Sequence, residues 1–172
     1  MKVKKDYLGF VAAILVSLLM TGCTVTYSFT GASIPPEVKT INIKYFPNNA
    51  SLVEPTLSQK LTDALRDKFS SETNLTIVNG DADLILEGSI TNYTTQPVAI
   101  QQDDQAALNR LTITIEATYT NKFDEKMSFE TTFSRFAEYS SSQNLSDVEE
   151  GLIEEINVML VEDVFNKAVI NW

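Results

Sequence analysis

Histidine is missing from this chain of 172 residues, and cysteine occurs once. The first absence removes the commonest general base and the commonest metal ligand. With them go the hydrolases in which histidine activates a serine or cysteine. The second leaves neither an intrachain disulfide nor a CxxC centre. Cations are scarce: 13 Lys and Arg stand against 23 Asp and Glu, for a net charge of −10. Nucleic-acid binding demands clustered Lys and Arg opposite the phosphates, so that class is disfavoured. A peripheral hold on anionic lipid fails for the same reason. There is no P-loop, no GxGxxG and no EF-hand spacing. Carboxylates alone remain as catalytic groups, of the kind that serve glycosidases. No cofactor is implied.

What the chain does have begins at its N-terminus. Lys2, Lys4 and Lys5 make a basic start, and Leu8 to Met20 is an almost unbroken apolar run ending in Thr21-Gly22-Cys23. A basic segment, a short apolar segment and small residues before a cut site describe a secretory signal peptide. The apolar run of 13 residues is short of the ~20 that a helix needs to cross a bilayer. The residues before Cys23 resemble a bacterial lipobox, with Met20 where leucine is more usual. An ordinary signal peptide with an incidental cysteine is the alternative. The lone cysteine, standing where a lipobox requires it, favours the lipoprotein. Residues 1–22 are therefore expected to be a lipoprotein signal peptide, with Cys23 acylated and the mature N-terminus. Two or more acyl chains anchor stably, at about 0.8 kcal/mol per buried CH₂, whereas one is marginal. Cleavage removes three lysines and one aspartate, taking the net charge from −10 to −12. It leaves 150 residues, the length of one ordinary domain. Such a domain buries about 68–70% of the surface its unfolded chain exposes.

Residues 23–37 read as a lipidated, extended tether containing Pro35-Pro36. Residues 38–172 read as a single domain. Val38 to Phe46 predicts a strand with Ile41, Ile43 and Tyr45 on one face. Leu57, Leu61, Ala64, Leu65 and Phe69 recur at helical steps behind Pro55, and Arg66 and Lys68 suit the negative end of that helix. Leu75 to Val78 is a short strand and Asn79-Gly80-Asp81 a turn. Asp83 to Tyr93 predicts a longer strand, with Leu84, Leu86, Gly88 and Ile90 on one side. Leu111 to Thr120 alternates most cleanly, with Leu111, Ile113, Ile115, Ala117 and Tyr119 on one face. Lys126 to Tyr139 returns with Met127, Phe129 and Phe133 facing in. Its apolar parity shifts at Phe136, which suggests a bulge or a change of environment. Ser146-Asp147-Val148-Glu149 fits a capping box. It opens a long helix whose buried stripe is Val148, Leu152, Ile156, Leu160 and Val164. Ile153, Val158, Val161 and Phe165 make that helix more apolar than one sheet contact requires.

This order, with one apolar stripe per helix and one apolar face per strand, implies an α+β fold. It is a two-layer α/β sandwich, in which a mostly antiparallel four- to five-stranded sheet carries two helices on one face. The other face stays open, lined by Thr112, Thr114, Glu116, Thr118 and Thr132. Antiparallel sheets tolerate such exposure. Plain solvation explains that face, and so does contact with a polar surrounding such as another protein's lumen.

Several stretches carry a resemblance: residues 27–35 (Tyr27-Ser28-Phe29-Thr30-Gly31-Ala32-Ser33-Ile34-Pro35), residues 41–48, residues 57–69, and residues 81–88 (Asp81-Ala82-Asp83-Leu84-Ile85-Leu86-Glu87-Gly88). Together with the lipobox and the acidic last helix, their order resembles the lipopolysaccharide-assembly lipoprotein family (LptE-like). The resemblance implies a non-enzymatic lipoprotein of the outer membrane that plugs the β-barrel translocon LptD, helps it assemble and binds lipopolysaccharide. Thr24 and the uncharged residues after it resemble neither an inner-membrane retention signal nor a surface-export signal, so the periplasmic side is expected. Phosphorylated glycolipid needs converging cations. Arg110, Lys122 and Lys126 are the candidates, flanking the 95–109 loop and the following turn. Two other readings stay open: another periplasmic lipoprotein adaptor, such as a peptidoglycan-synthase activator or secretin pilot, and a carboxylate-based cell-wall glycosidase.

Overall fold

The computed structural model describes residues 34–52, 54–98 and 107–169. The expected signal peptide, Cys23 and most of the expected tether lie outside the described residues. Five strands and two helices follow one another as β1 (Thr40–Ile43), α1 (Leu57–Glu72), β2 (Thr76–Ile77), β3 (Leu84–Val98), β4 (Leu108–Asn121), β5 (Phe129–Ser140) and α2 (Leu145–Val169). The sheet order is β2-β1-β3-β4-β5. β1 lies parallel to both β2 and β3 over short pairings, while the long β3–β4 and β4–β5 pairings are antiparallel. The fold is thus the expected α+β arrangement, a mostly antiparallel five-stranded sheet with two helices.

The alternation of β4 decides which side the helices cover. Leu111, Ile113, Ile115 and Ala117 are fully buried, and Tyr119 nearly so. They join Leu84, Leu86 and Ile90 of β3 and the stripes of both helices in one core. A bulge between Ile90 and Asn92 shifts the parity of β3, so that Tyr93 also faces inward and is buried. Its hydroxyl donates to Glu149 of α2. Helix and sheet are further tied by Arg135, whose Nε and Nη2 each lie 2.6 Å from a carboxylate oxygen of Asp163. At the start of β1, the Asp83 carboxylate accepts from the Lys39 and Thr40 backbone N–H groups at 2.9 and 3.0 Å. The Lys39 backbone bond first, and then those with Thr40, hold this carboxyl below its ordinary pKa.

Five local expectations give way. Tyr45 is 51% exposed and Phe46 is buried in its place. β1 ends at Ile43, and the chain beyond it runs alongside Ile90 through backbone bonds of Pro47 and Asn49, which changes the inward parity. Phe136 marks no bulge, because β4 and β5 pair without interruption from Leu108–Ser140 to Tyr119–Phe129. It stands 47% exposed on the open face. The capping box does not form: α2 already begins at Leu145, and the Ser146 hydroxyl donates to Asp147. Arg66 and Lys68 do not serve the end of α1. Arg66 donates to the Ile43 carbonyl, and Lys68 pairs with Glu162 on α2. Val158 differs too, lying 59% exposed while Ile153, Val161 and Phe165 are buried.

Candidate functional site

The helices leave one face of the sheet uncovered. Pleating sends alternate residues to opposite sides, so the burial of Leu111 to Tyr119 places Thr112, Thr114, Glu116 and Thr118 on this face. The register sets Phe136, Ser134, Thr132 and Glu130 of β5 opposite them in turn. On the β3 side, Thr94, Asn92, Ser89 and Glu87 complete the rows. All five candidate face residues, Thr132 included, are therefore brought together. At ~3.4 Å per residue, the 11 steps from Leu108 to Tyr119 extend about 37 Å. The Thr114 and Ser134 hydroxyls are 2.9 Å apart, and Thr91 donates to the Thr114 carbonyl. The face is a ladder of hydroxyls interrupted by carboxylates, suited to hydrogen bonding with another polar surface.

The candidate cations are not brought together. Arg110 lies near the start of β4 and Lys122 just past its end, so the length of the strand separates them. Arg110 gives Glu138 two hydrogen bonds, from Nε at 3.0 Å and from Nη2 at 2.5 Å. Its guanidinium also stacks 3.9 Å from the Phe136 ring centroid, a cation–π contact on exposed surface. Lys122 pairs with Asp81. Lys126 sits in the 3₁₀ turn Glu125–Met127, where its backbone N–H donates to Asp124. Sequence reasoning missed the Arg110–Phe136–Glu138 group. The parity break at Phe136 was its signal, pointing to an aromatic placed outward. Among the described residues, no group of His, Cys, Asp and Glu has the arrangement of a metal site, and no helix is long and apolar enough to cross a membrane. The hydrogen bond from the Lys60 side chain holds the Glu150 carboxyl below its ordinary pKa.

Fold and face together define a small α+β sandwich domain with a hydroxyl-rich, uncovered sheet. Residues 38–168 match the model of the family described as lipopolysaccharide-assembly, LptE. The chain belongs to that family. Among solved structures, it is similar to a minor lipoprotein from Acinetobacter baumannii, with 13% identity and a TM-score of 0.50 over 74% of this chain and 90% of that one. A hypothetical protein from Chlamydia trachomatis gives 8% identity and 0.53, over 78% and 99%. A protein from Xanthomonas campestris gives 11% and 0.52, over 77% and 84%. At these identities the likeness is one of fold. No curated protein matches the sequence.

Proposed function

We propose that this protein is a non-enzymatic lipoprotein, acylated at Cys23 and held on the periplasmic side of the outer membrane. In this reading it plugs the β-barrel translocon LptD and helps it assemble, so that lipopolysaccharide reaches the outer membrane. The observation that carries the reading is the uncovered sheet face. A ladder of hydroxyls from Thr112 to Thr118, about 20 Å long, complements the polar wall of a water-filled lumen, and membership of the lipopolysaccharide-assembly family supports a barrel as the partner. Arg110, Lys122 and Lys126 act as separate contacts for lipopolysaccharide, at opposite ends of β4, and not as one binding site. Arg110 and Lys122 contribute less there than Lys126, since Glu138 and Asp81 already take their charges.

Photo-crosslinkers at Thr114, Thr118 and Thr132 test the plug. In membranes they capture the barrel, and depletion of the protein lowers the amount of correctly assembled barrel. Glu116→Gln leaves assembly unchanged. Capture of a synthase or a secretin by the same positions would favour a different adaptor. Silent crosslinkers, together with a single carboxylate change that abolishes the phenotype, would favour the glycosidase.

A further inference from the structure

On the side away from the sheet, α1 and α2 enclose a groove of about 720 Å³. Its α1 wall runs from Lys60 to Ser71 and its α2 wall from Glu154 to Glu162. At ~1.5 Å per residue this is a trough about 16 Å long. Two ion pairs bridge the helices along it, Lys60–Glu150 at 2.8 Å and Lys68–Glu162 at 2.5 Å. Between them the small side chain of Ala64 leaves the floor low, with Val161 buried and Val158 exposed beside it.

Two independent features point to an occupant. The first is charge. The rim carries Asp63, Asp67, Glu154 and Glu162 against Lys60 and Lys68, and among the described residues neither Asp67 nor Glu154 has an ion-pair partner. The two helices as a whole hold ten carboxylates and four cations. The second is Asn157, only 5% exposed, whose Oδ1 meets no donor among the described residues. A buried amide oxygen without a partner is rare in folded proteins. Asn157 lines the groove, so an N–H of an occupant is the group that would satisfy it.

We propose that this groove is a docking site for a cationic, amphipathic segment of a partner protein. One apolar side chain of that segment seats on Ala64, Val158 and Val161. Its lysines or arginines lie between Asp67 and Glu154, and one of its N–H groups bonds Asn157. The geometry is that of a peptide laid along a helical groove, with steering by the acidic rim. The site is opposite the sheet face and does not depend on the barrel reading.

The test uses the full chain carried on phosphatidylcholine nanodiscs and three labelled 14-residue peptides. All three have the same leucine spacing, with lysine, glutamine or glutamate elsewhere. Fluorescence anisotropy should show saturable binding of the lysine peptide, at least tenfold tighter than the glutamine peptide and weakened at least tenfold from 50 to 500 mM salt. The double variant Asp67→Lys, Glu154→Lys alters two exposed residues and should lose at least tenfold, while Glu130→Lys on the sheet face changes nothing. A benzoylphenylalanine at Val158 should crosslink the lysine peptide, and one at Thr118 should not. Asn157→Leu, checked for folding by circular dichroism, should weaken binding. Equal binding of the three peptides, full affinity in the double variant, or crosslinking at Thr118 instead of Val158 would each overturn the proposal.

Discussion

Gly88 shows how a single position is determined by residues distant in the chain. A Cβ built there would approach the Phe46 ring to 2.5 Å and collide with the Glu116 carbonyl. Phe46 is itself fixed: it is fully buried, and its backbone N–H donates to the Thr62 hydroxyl at 3.1 Å. Gly88→Ala therefore overpacks a filled space and should cost about 1–3 kcal/mol, read as a lower urea midpoint at unchanged slope. Adding Phe46→Leu should return part of the loss, since the two residues share one volume. A Gly88→Ala protein as stable as its parent would show that the Phe46 ring and the Glu116 carbonyl both move aside freely. The strand pattern made Gly88 legible as a gap in an inward row. Its cause was not legible, because Phe46 enters from beyond the end of β1 after the inward parity has changed.

The elements that read most clearly were those with a single, long period. β4 buries the face its alternation marks, and α2 buries Leu152, Ile156, Leu160 and Val164. The second apolar set of α2 was legible as an excess but not as a contact. Its member Phe165 packs on α1, where the Phe69 and Phe165 rings meet edge-on at 5.1 Å, while Val158 stays exposed, and no sequence period names the partner helix. Ends were least legible: a start signal at Ser146 lost to a helix that begins one residue earlier, at Leu145. Ile156 lies between helix and sheet with no exposure, so Ile156→Ala should cost roughly 2–5 kcal/mol. A cost below ~0.5 kcal/mol, the ordinary range for surface substitutions, would place that stripe at the surface. Two tyrosines in the same layer set the alkaline limit. Burial pushes Tyr119 from 10.0 up to about 12, and burial followed by the Glu149 bond raises Tyr93. The folded chain keeps these protons longer than the unfolded chain. Their contribution is complete below pH ~10 and is lost as the pH rises from 10 towards 12. Denaturation midpoints across that window should fall, and Tyr119→Phe should make the fall shallower. A Tyr119→Phe profile as steep as the parent's would remove that residue from the account.

At the scale of the molecule, the chain carries −10, and the cleavage proposed above would take it to −12. A surface of that sign gains nothing from anionic lipid. Of the described helices, none is long and apolar enough to span a bilayer. In the reading proposed above, attachment comes from Cys23, the only cysteine, and acylation there sets where the domain works. Two acyl chains hold stably where one is marginal, so partial processing should already matter. Cys23→Ala should leave an uncleaved precursor that takes up no labelled fatty acid, and should lower the amount of correctly assembled barrel. The sandwich itself should fold in that variant, because every described core residue lies between Ile34 and Val169. Its urea midpoint, measured on the purified protein, should therefore match that of the parent. The two readouts separate anchoring from folding. A Cys23→Ala protein that is processed normally and stays with membranes would remove the anchor from the argument. One that is processed as expected but fails to fold would show that the lipidated end is part of the domain.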